Sequence, residues 1–245
     1  MRRASSYEEA LTLKAKLLEW KELAPEVHHF SFEVPGVEYL QFTPGQFISV
    51  VEHKGEKEVT RAYSIASPRA GNRFELCLNR VVNGLVSPWL FELKPGDEVD
   101  MHEPLGYFTL RHPGRRAVFV ATGTGVAPFR SMLLDHLPRT QPKITLLFGV
   151  RHQEGLLYRD ELEQLEKDYA SFRFMPTVTR PDSTWAGRTG RVQAHLDEAL
   201  ALRTPIESNN VDVYICGLRE MVDDVRKELK ARGFDRKQII YEKYD

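Results

Sequence analysis

The spacing of apolar and turn-forming residues changes abruptly after His112-Pro113-Gly114. Before that point, short segments rich in β-branched and aromatic residues alternate with turn pairs such as Pro35-Gly36, Pro44-Gly45 and Pro95-Gly96. Many short strands separated by such turns are typical of an antiparallel barrel or sandwich. We therefore predict an antiparallel β-barrel domain for residues 1–112. Its predicted elements are strands at 11–20, 27–34, 46–51, 61–67, 74–81 and 98–102, and a short helix at 87–93 that begins at Ser87.

After the change, compact apolar segments alternate with longer amphipathic ones. Strand–helix alternation of this kind implies a parallel, doubly wound sheet with helices on its faces. We predict this α/β domain for residues 113–245. The predicted strands are 117–121, 144–150, 172–179, 211–216 and 238–244, and the predicted helices are 127–137, 158–169, 193–202 and 220–232.

Composition narrows the class of protein. A chain of 245 residues with 42% hydrophobic and 28% charged residues is long enough, and apolar enough, for two globular domains. A net charge of −1 gives no reason to expect nucleic-acid binding. The basic start, Met1-Arg2-Arg3, is not followed by an apolar run, so we expect no secretory signal, and no apolar stretch is long enough to span a bilayer. We expect a cytoplasmic monomer.

Cysteine and histidine usage excludes several kinds of site. Cys77 and Cys216 are the only cysteines, too few for a four-thiolate iron–sulfur cluster or for a disulfide framework, which fits a reducing compartment. The eight histidines lack metal-ligand spacing, so we predict no metal site. No Gly-x-Ser-x-Gly sequence points to a hydrolase.

A glycine-rich turn lies between the first predicted strand and the first predicted helix of the second domain. It contains Thr122, Gly123, Thr124 and Gly125, and Pro128 follows in the first helical turn. Glycines let the backbone approach a ligand closely, and the free N–H groups at a helix start attract phosphate. A tight turn without a ligand would have the same residues. Its place on the first βα unit of a doubly wound sheet favours a dinucleotide site.

An ordered set of segments, spread along nearly the whole chain, resembles the plant-type ferredoxin–NADP reductase family, in its bacterial form. The matching segments are residues 60–67, 76–80, 84–87, 93–96, 123–132, 156–161, 179–180, 216–221 and 241–244. The resemblance implies a flavin in the barrel domain and a nicotinamide dinucleotide in the α/β domain.

On the flavin side, the resemblance implies a role for each matching residue. Arg61 would pair with the FAD pyrophosphate, with Ala62 beside it in the motif, and Tyr63 would lie against the isoalloxazine ring. Ser64 would form a hydrogen bond with the flavin N5, where hydride arrives. Further expected contacts to the ribityl chain, the adenosine and the phosphates come from Leu78, Asn79, Arg80, Gly84, Leu85, Val86 and Ser87.

On the nicotinamide side, the resemblance places Cys216 and Glu242 beside the reacting carbon, with Gly217 following the strand. Tyr244 would stack on the other flavin face and be displaced by nicotinamide. From the residues alone, a buried structural thiol, a solvent-facing carboxylate and a packing tyrosine are equally open interpretations.

The choice between NADP and NAD depends on arginines that can hold a 2′-phosphate. Arg151, Thr179-Arg180 and Arg191 follow predicted strands at the positions that the resemblance implies, and Arg188 is a further candidate. These residues favour NADP(H). Glu154, a few residues past the strand at 144–150, keeps an NAD site open.

Two departures from the plant pattern stand out. Only Val82-Asn83 remains of a longer hairpin, which leaves the FAD adenine without an identified partner and FMN as an alternative flavin. Asp245 follows the terminal tyrosine, where several bacterial relatives end in an aromatic residue.

The leading functional hypothesis is therefore hydride transfer between NADP(H) and FAD, coupled to one-electron exchange with a small ferredoxin or flavodoxin. Such carriers are acidic, so basic residues near the barrel are candidates to steer them: Lys54, Lys57, Arg69, Arg73 and Lys94. Two alternatives stay open. One is an NADH-dependent reductase component of an oxygenase system, and the other is a regulatory subunit that keeps the flavin fold.

Overall fold

The computed structural model describes residues 12–55, 57–201 and 210–244. Two features named in the sequence analysis lie outside these residues. They are the basic start Met1-Arg2-Arg3, for which no secretory signal is expected, and the terminal Asp245. The first domain is a six-stranded antiparallel sheet in the order β4-β3-β6-β1-β2-β5. Its elements are β1 (Thr12–Ala24), β2 (Val27–Glu33), β3 (Phe47–Lys54), β4 (Lys57–Ser64), β5 (Arg73–Asn79), the short helix α1 (Ser87–Leu90) and β6 (Glu98–His102).

Alternation along each strand builds the barrel interior. In β3, Ile48 and Val50 are fully buried, and in β5 the same holds for Phe74 and Leu76. Because side chains leave a strand on alternate faces, these residues meet in one apolar core. A bridge between Ile65 and Leu76 joins the two edge strands at one end and closes the sheet on itself.

The second domain is a parallel six-stranded sheet in the order β10-β9-β8-β7-β11-β12. Its strands are β7 (Arg116–Thr122), β8 (Ile144–Val150), β9 (Phe172–Val178), β10 (Arg188–Thr189), β11 (Val211–Leu218) and β12 (Ile239–Tyr244). Its helices are α2 (Ala127–Thr140), α3 (Arg159–Asp168), α4 (Leu196–Leu200) and α5 (Arg219–Ala231). The predicted two-domain fold class, a barrel followed by a doubly wound α/β domain, is confirmed.

The central strand β7 is apolar on both faces, which explains its continuous hydrophobic sequence. Phe119 packs in one core with α2 and α3, while Val118 and Val120 pack in another with α4 and α5. Among the described residues, no helix is long and apolar enough to cross a membrane.

Several predicted boundaries differ from the structure. The helix expected at 87–93 ends at Leu90, and Ser87 is its first helical residue rather than its cap, because the Ser87 hydroxyl instead accepts the backbone N–H of Val81 at 3.0 Å. The helix expected at 193–202 begins as a 3-10 turn, Val192–His195, and is α-helical only over Leu196–Leu200; residue 202 lies outside the described part.

The two domains are joined by a guanidinium. Arg130, on α2, donates to Glu161 at 2.6 Å in its own domain, and to Glu75 at 2.6 Å and the Ala66 carbonyl at 2.8 Å in the barrel. Its side chain is only 11% exposed, and it lies over the Tyr158 ring at 4.5 Å. A cation this deeply buried is stable only when such partners surround it.

Smaller contacts surround this cation. Tyr158 has a left-handed backbone (φ 58°), and its phenol lies 2.9 Å from the ring of His29, whose pKa burial lowers to about 4. The ring is therefore neutral at physiological pH. Further along α2, Asp135 accepts from Nε and Nη2 of Arg69, at 3.1 and 2.8 Å.

Replacing Arg130 with methionine is expected to lower the free energy of unfolding by about 2–4 kcal/mol, because two partly buried carboxylates lose their shared cation. Urea unfolding followed by circular dichroism measures the change. The matched control is Arg139→Met, an exposed arginine on the same helix, which should change stability by about 0.5 kcal/mol or less. Equal effects of the two substitutions would contradict the role assigned to Arg130.

Candidate functional site

The end of β4 meets the end of β12 between the two domains. The Ser64 hydroxyl, on the last residue of β4, donates to Glu242 Oε1 at 3.0 Å and lies 2.7 Å from the Tyr244 hydroxyl. Glu242 and Tyr244 are two residues apart on β12, so their side chains leave the strand on one face. The structure thus brings together three residues that the sequence analysis proposed for hydride transfer.

Cys216 is the fourth member of this group. Parallel pairing places it opposite Glu242 in the register of β11 and β12, and it is completely buried. Burial and the neighbouring Glu242 carboxylate raise the pKa of the Cys216 thiol well above its usual value, against a hydrogen bond with Tyr244. Cys216 is therefore a neutral thiol at physiological pH. We refer to Ser64, Cys216, Glu242 and Tyr244 as the Ser64 cluster.

Glu242 is the ionisable carboxylate of the Ser64 cluster. Burial raises its pKa, and the hydrogen bond from Ser64 opposes that rise. A cavity of about 320 Å³ adjoins Glu242 and is also lined by Phe47, Tyr107, Arg111 and Tyr241. The Glu242 carboxyl group therefore lies between the other residues of the Ser64 cluster and this cavity. In that position it can hold a proton or pass one on.

The flavin-side motif presents a cation and an aromatic ring. Arg61 is exposed, and among the described residues its guanidinium donates to the neighbouring Thr60 carbonyl alone, at 2.8 Å. Tyr63 is half-buried, and its burial raises the pKa of the phenol to about 12. Ala62 lies between them, exposed, two residues before Ser64. A guanidinium free to bind a pyrophosphate and a neutral phenol next to the Ser64 cluster both fit FAD.

The turn before α1 is short and leaves apolar surface uncovered. Gly84 N–H donates to the Val81 carbonyl at 2.7 Å, and the side chains of Val81, Val82 and Leu85 are 48%, 84% and 45% exposed. Val86 and Ser87 are buried at the start of α1. These exposed valine and leucine side chains provide apolar surface for the part of a bound FAD that extends beyond the flavin ring.

The next positions along β5 divide between core and surface. Leu78 is 3% exposed and its side chain packs inside the barrel, while its expected contact with the flavin stays a prediction. Asn79 and Arg80 are exposed at the end of the strand. These two present side chains that a flavin tail could contact.

The glycine-rich turn lies against the end of β11. A Cβ at Gly125 would collide with the Cys216 carbonyl oxygen, and one at Gly217 would collide with Thr122 Oγ1, so both positions require glycine. Thr122 Oγ1 is buried with no hydrogen-bond partner among the described residues. Gly123 (φ 55°) and Thr124 form the 3-10 turn that precedes α2. The close backbone approach and the unpaired hydroxyl fit a dinucleotide beside this turn.

The candidate phosphate arginines separate into two groups. Arg188 is occupied by Glu198, at 2.5 and 2.8 Å, and Arg191 approaches Glu220 at 3.4 Å. Arg151 and Arg180, in contrast, have no side-chain hydrogen bond or ion pair with any residue that the structure describes. The backbone N–H of Arg180 donates to the Arg151 carbonyl at 2.8 Å, which holds the main chains of the two residues next to each other.

The sequence analysis missed the residues that hold the domains together. Arg130, Tyr158, His29 and Glu75 form one of the polar contacts between the domains. Their local patterns are those of ordinary helix and strand residues, and no sequence signal connects positions so far apart. The one available sign was Tyr158-Arg159-Asp160-Glu161, which the resemblance included but to which no role was given.

Comparison with known proteins decides the family. Residues 14–110 match the Oxidoreductase FAD-binding domain, and residues 119–227 match the Oxidoreductase NAD-binding domain. Ferredoxin–NADP reductase B of Sorangium cellulosum is 39% identical over 243 residues, which cover 97% of this chain and 99% of that protein. The chain belongs to the ferredoxin–NADP reductase family. The crystal structure of a ferredoxin–NADP reductase from Neisseria gonorrhoeae with bound FAD and NADP shares the fold with a TM-score of 0.83 at 26% identity, over 96% of this chain and 99% of that one.

Ferredoxin–NADP reductases are flavoprotein oxidoreductases, and this member has both the FAD-binding and the NAD-binding domain. Relatives with other printed names are similar as well. The toluate 1,2-dioxygenase electron transfer component of Pseudomonas putida is 29% identical over 91% of this chain, which spans 65% of that protein.

The variant Glu242→Gln is expected to be more heat-stable than the native protein at pH 7.5, because the amide still accepts from Ser64 but carries no charge to desolvate. The folded-state pKa of Glu242 is raised, so its contribution to stability is complete below the unfolded pKa of about 4.3 and is lost as pH rises through the folded pKa. The gain should therefore disappear near pH 4. Thermal unfolding between pH 4 and pH 8, with the exposed Glu19→Gln as control, measures it; a gain independent of pH would refute this account.

Proposed function

We propose that this ferredoxin–NADP reductase transfers hydride between NADP(H) and FAD and exchanges single electrons with a small ferredoxin or flavodoxin. The observation that carries the proposal is the Ser64 cluster. It joins the end of a flavin-domain strand, β4, to the end of a nicotinamide-domain strand, β12, through hydrogen bonds of 2.7 and 3.0 Å, and Cys216 lies beside Glu242 on the neighbouring strand β11. Hydride transfer requires both cofactors at one point, and the two domains meet there.

Bound FAD would supply the redox chemistry, accepting or giving two electrons as hydride and one electron at a time to a carrier. The protein's residues bind and orient. Arg61 holds the pyrophosphate as a planar, permanently charged donor, and Tyr63 supports the ring. The one proton of the Ser64 hydroxyl is donated to Glu242, which fixes the direction of the O–H bond and leaves the oxygen to accept a hydrogen bond at the flavin edge.

Tyr244 closes the site. Its phenol is held by Ser64 and Cys216, and burial raises its pKa well above its usual value, so it stays neutral. Each of these neutral hydrogen bonds is worth about 0.5–1.5 kcal/mol. The tyrosine can therefore swing away when nicotinamide binds, at a cost that the binding of a dinucleotide readily offsets. Cys216 and Glu242 then face the entering ring.

The turn from Thr122 to Gly125 offers backbone N–H groups to the dinucleotide pyrophosphate. Arg151 and Arg180 are the side chains proposed for the 2′-phosphate, because they are the candidate arginines without a carboxylate partner in the described structure. Arg191 joins them at small cost, since its contact with Glu220 is long and both side chains are highly exposed.

The proposed partner is an acidic electron carrier. Of the basic residues that could steer it, Lys57, Arg73 and Lys94 are exposed on the barrel, whereas Arg69 is bound to Asp135. The side chain of Lys54 lies outside the described part. A monomer in the cytoplasm is part of the same proposal, supported by two buried cysteines that form no disulfide with each other.

An NADH-dependent reductase component of an oxygenase system is the second candidate. It is favoured by the similarity to the Pseudomonas putida electron transfer component. Two cysteines cannot supply the thiolates of a built-in iron–sulfur cluster, so such a role would need a separate carrier protein. The purely regulatory role finds less support, because every member of the Ser64 cluster is in place.

The purified protein is expected to be yellow, with the visible absorption bands of bound flavin. Anaerobic addition of NADPH should bleach these bands at lower concentration than NADH does. Release of the flavin followed by chromatography should identify FAD. A colourless protein that gains no colour with added FAD would refute the proposed function, and equal response to the two nucleotides would favour the oxygenase-type alternative.

The variant Arg180→Ala is expected to raise KM for NADPH about ten- to a hundredfold while leaving KM for NADH nearly unchanged. A hydrogen bond between charged groups contributes about 1.5–3 kcal/mol, and only NADPH carries the 2′-phosphate. Arg188→Ala is the matched control, because that guanidinium is bound to Glu198 and should change the NADPH value little. Similar losses with both nucleotides would contradict the assignment.

A further inference from the structure

Two loops that follow neighbouring strands are fastened to each other near the candidate 2′-phosphate arginines. One loop, residues 151–155, follows β8, and the other, residues 179–187, follows β9. Backbone bonds start the contact: Thr179 N–H donates to the Val150 carbonyl at 3.0 Å, and Arg180 N–H donates to the Arg151 carbonyl at 2.8 Å. These bonds fix where the second loop begins but not where it goes afterwards.

The side chain of Gln153 fastens the rest of the second loop. Its Nε2 donates to Asp182 Oδ2 and to Thr184 Oγ1, both at 2.8 Å, and its Oε1 accepts the backbone N–H of Asp182 at 3.3 Å. One amide thus makes three hydrogen bonds across the gap. We call Gln153, Asp182 and Thr184 the Gln153 clasp.

Within the clasp, both carboxylate oxygens of Asp182 are occupied. Oδ1 accepts the Thr184 backbone N–H at 2.7 Å and the Thr184 hydroxyl at 2.6 Å, while Oδ2 accepts from Gln153. These hydrogen bonds lower the pKa of Asp182, so it is a full negative charge at physiological pH. That charge is two residues from Arg180, yet it makes no ion pair with Arg180.

We propose that Gln153 is a specificity-determining positioning residue for NADP(H). It holds the Asp182 carboxylate away from Arg180, so that Arg151 and Arg180 remain free for the 2′-phosphate. This inference rests on the proposed assignment of Arg180 to that phosphate. Without the clasp, the Asp182 carboxylate, two residues from Arg180 on the same loop, would be free to turn toward the guanidinium and compete with the phosphate for it.

The test uses two ligands that differ by one phosphate, adenosine 2′,5′-bisphosphate and adenosine 5′-monophosphate, with binding to the complete flavoprotein measured by calorimetry at low salt. Gln153→Ala should raise Kd for the bisphosphate about five- to tenfold, in the range expected when several exposed hydrogen bonds are lost. Kd for the monophosphate should stay unchanged. The control Gln164→Ala removes an equivalent exposed glutamine–aspartate bond, to Asp168 on α3, and should change neither value.

A second variant separates charge competition from simple loosening of the loop. In Gln153→Ala/Asp182→Asn the released side chain is neutral, so binding of the bisphosphate should recover toward the native value. Failure to recover would overturn the proposal, as would equal weakening of both ligands or no effect in Gln153→Ala. If neither Gln153→Ala nor Arg180→Ala changes the affinity for the bisphosphate, the assignment of Arg180 to the 2′-phosphate is itself wrong. If Arg180→Ala weakens binding of the bisphosphate and Gln153→Ala does not, only the role of the Gln153 clasp is refuted.

Discussion

The geometry of this reductase depends on one buried cation. Arg130 reaches from α2 to Glu75 and the Ala66 carbonyl of the barrel while Glu161 holds it from α3. Further polar contacts join the domains beside it: Ser131 donates to the Ser67 carbonyl at 2.6 Å, and Arg69 binds Asp135. Apolar contacts have no preferred direction, whereas hydrogen bonds have defined distances and angles, so these polar contacts together fix the orientation of the domains. That orientation brings Ser64 within hydrogen-bond distance of Glu242 and Tyr244.

Charge is distributed in opposite ways at the centre and at the rim of the site. The Ser64 cluster holds a thiol and a phenol whose pKa values burial raises, and a carboxyl group whose pKa is also raised. The thiol and the phenol are therefore neutral, and burial works against the charged form of the carboxyl group, which suits a dry site where nicotinamide and flavin rings must stack. At the rim, Arg61 and Arg180 are exposed and fully charged, where phosphates can reach them from water.

The sequence was sufficient for the fold class because both domains follow strong periodicities, alternation in the barrel and strand–helix alternation afterwards. It also predicted Ser64, Glu242 and Tyr244 as neighbours, through the family resemblance. It did not show that the Leu78 side chain lies in the barrel core, since the buried face of a strand is known only once the register is known. Arg130 escaped notice because its partners are distant in sequence, and only the folded chain reveals them.

The arginines show how one residue type serves two purposes in this protein. Arg130, Arg69 and Arg188 each hold a carboxylate at 2.5–2.8 Å, and these pairs fasten helices, strands and domains. Arg151 and Arg180 lack such partners in the described structure. Two carboxylates of this domain are held by other residues. Here Glu198 is bound by Arg173 and Arg188, and Asp182 by Gln153 and Thr184. An anion site therefore depends on carboxylates that are bound by other residues as much as on the arginines themselves. A sequence lists both kinds of residue but does not say which of them are already paired.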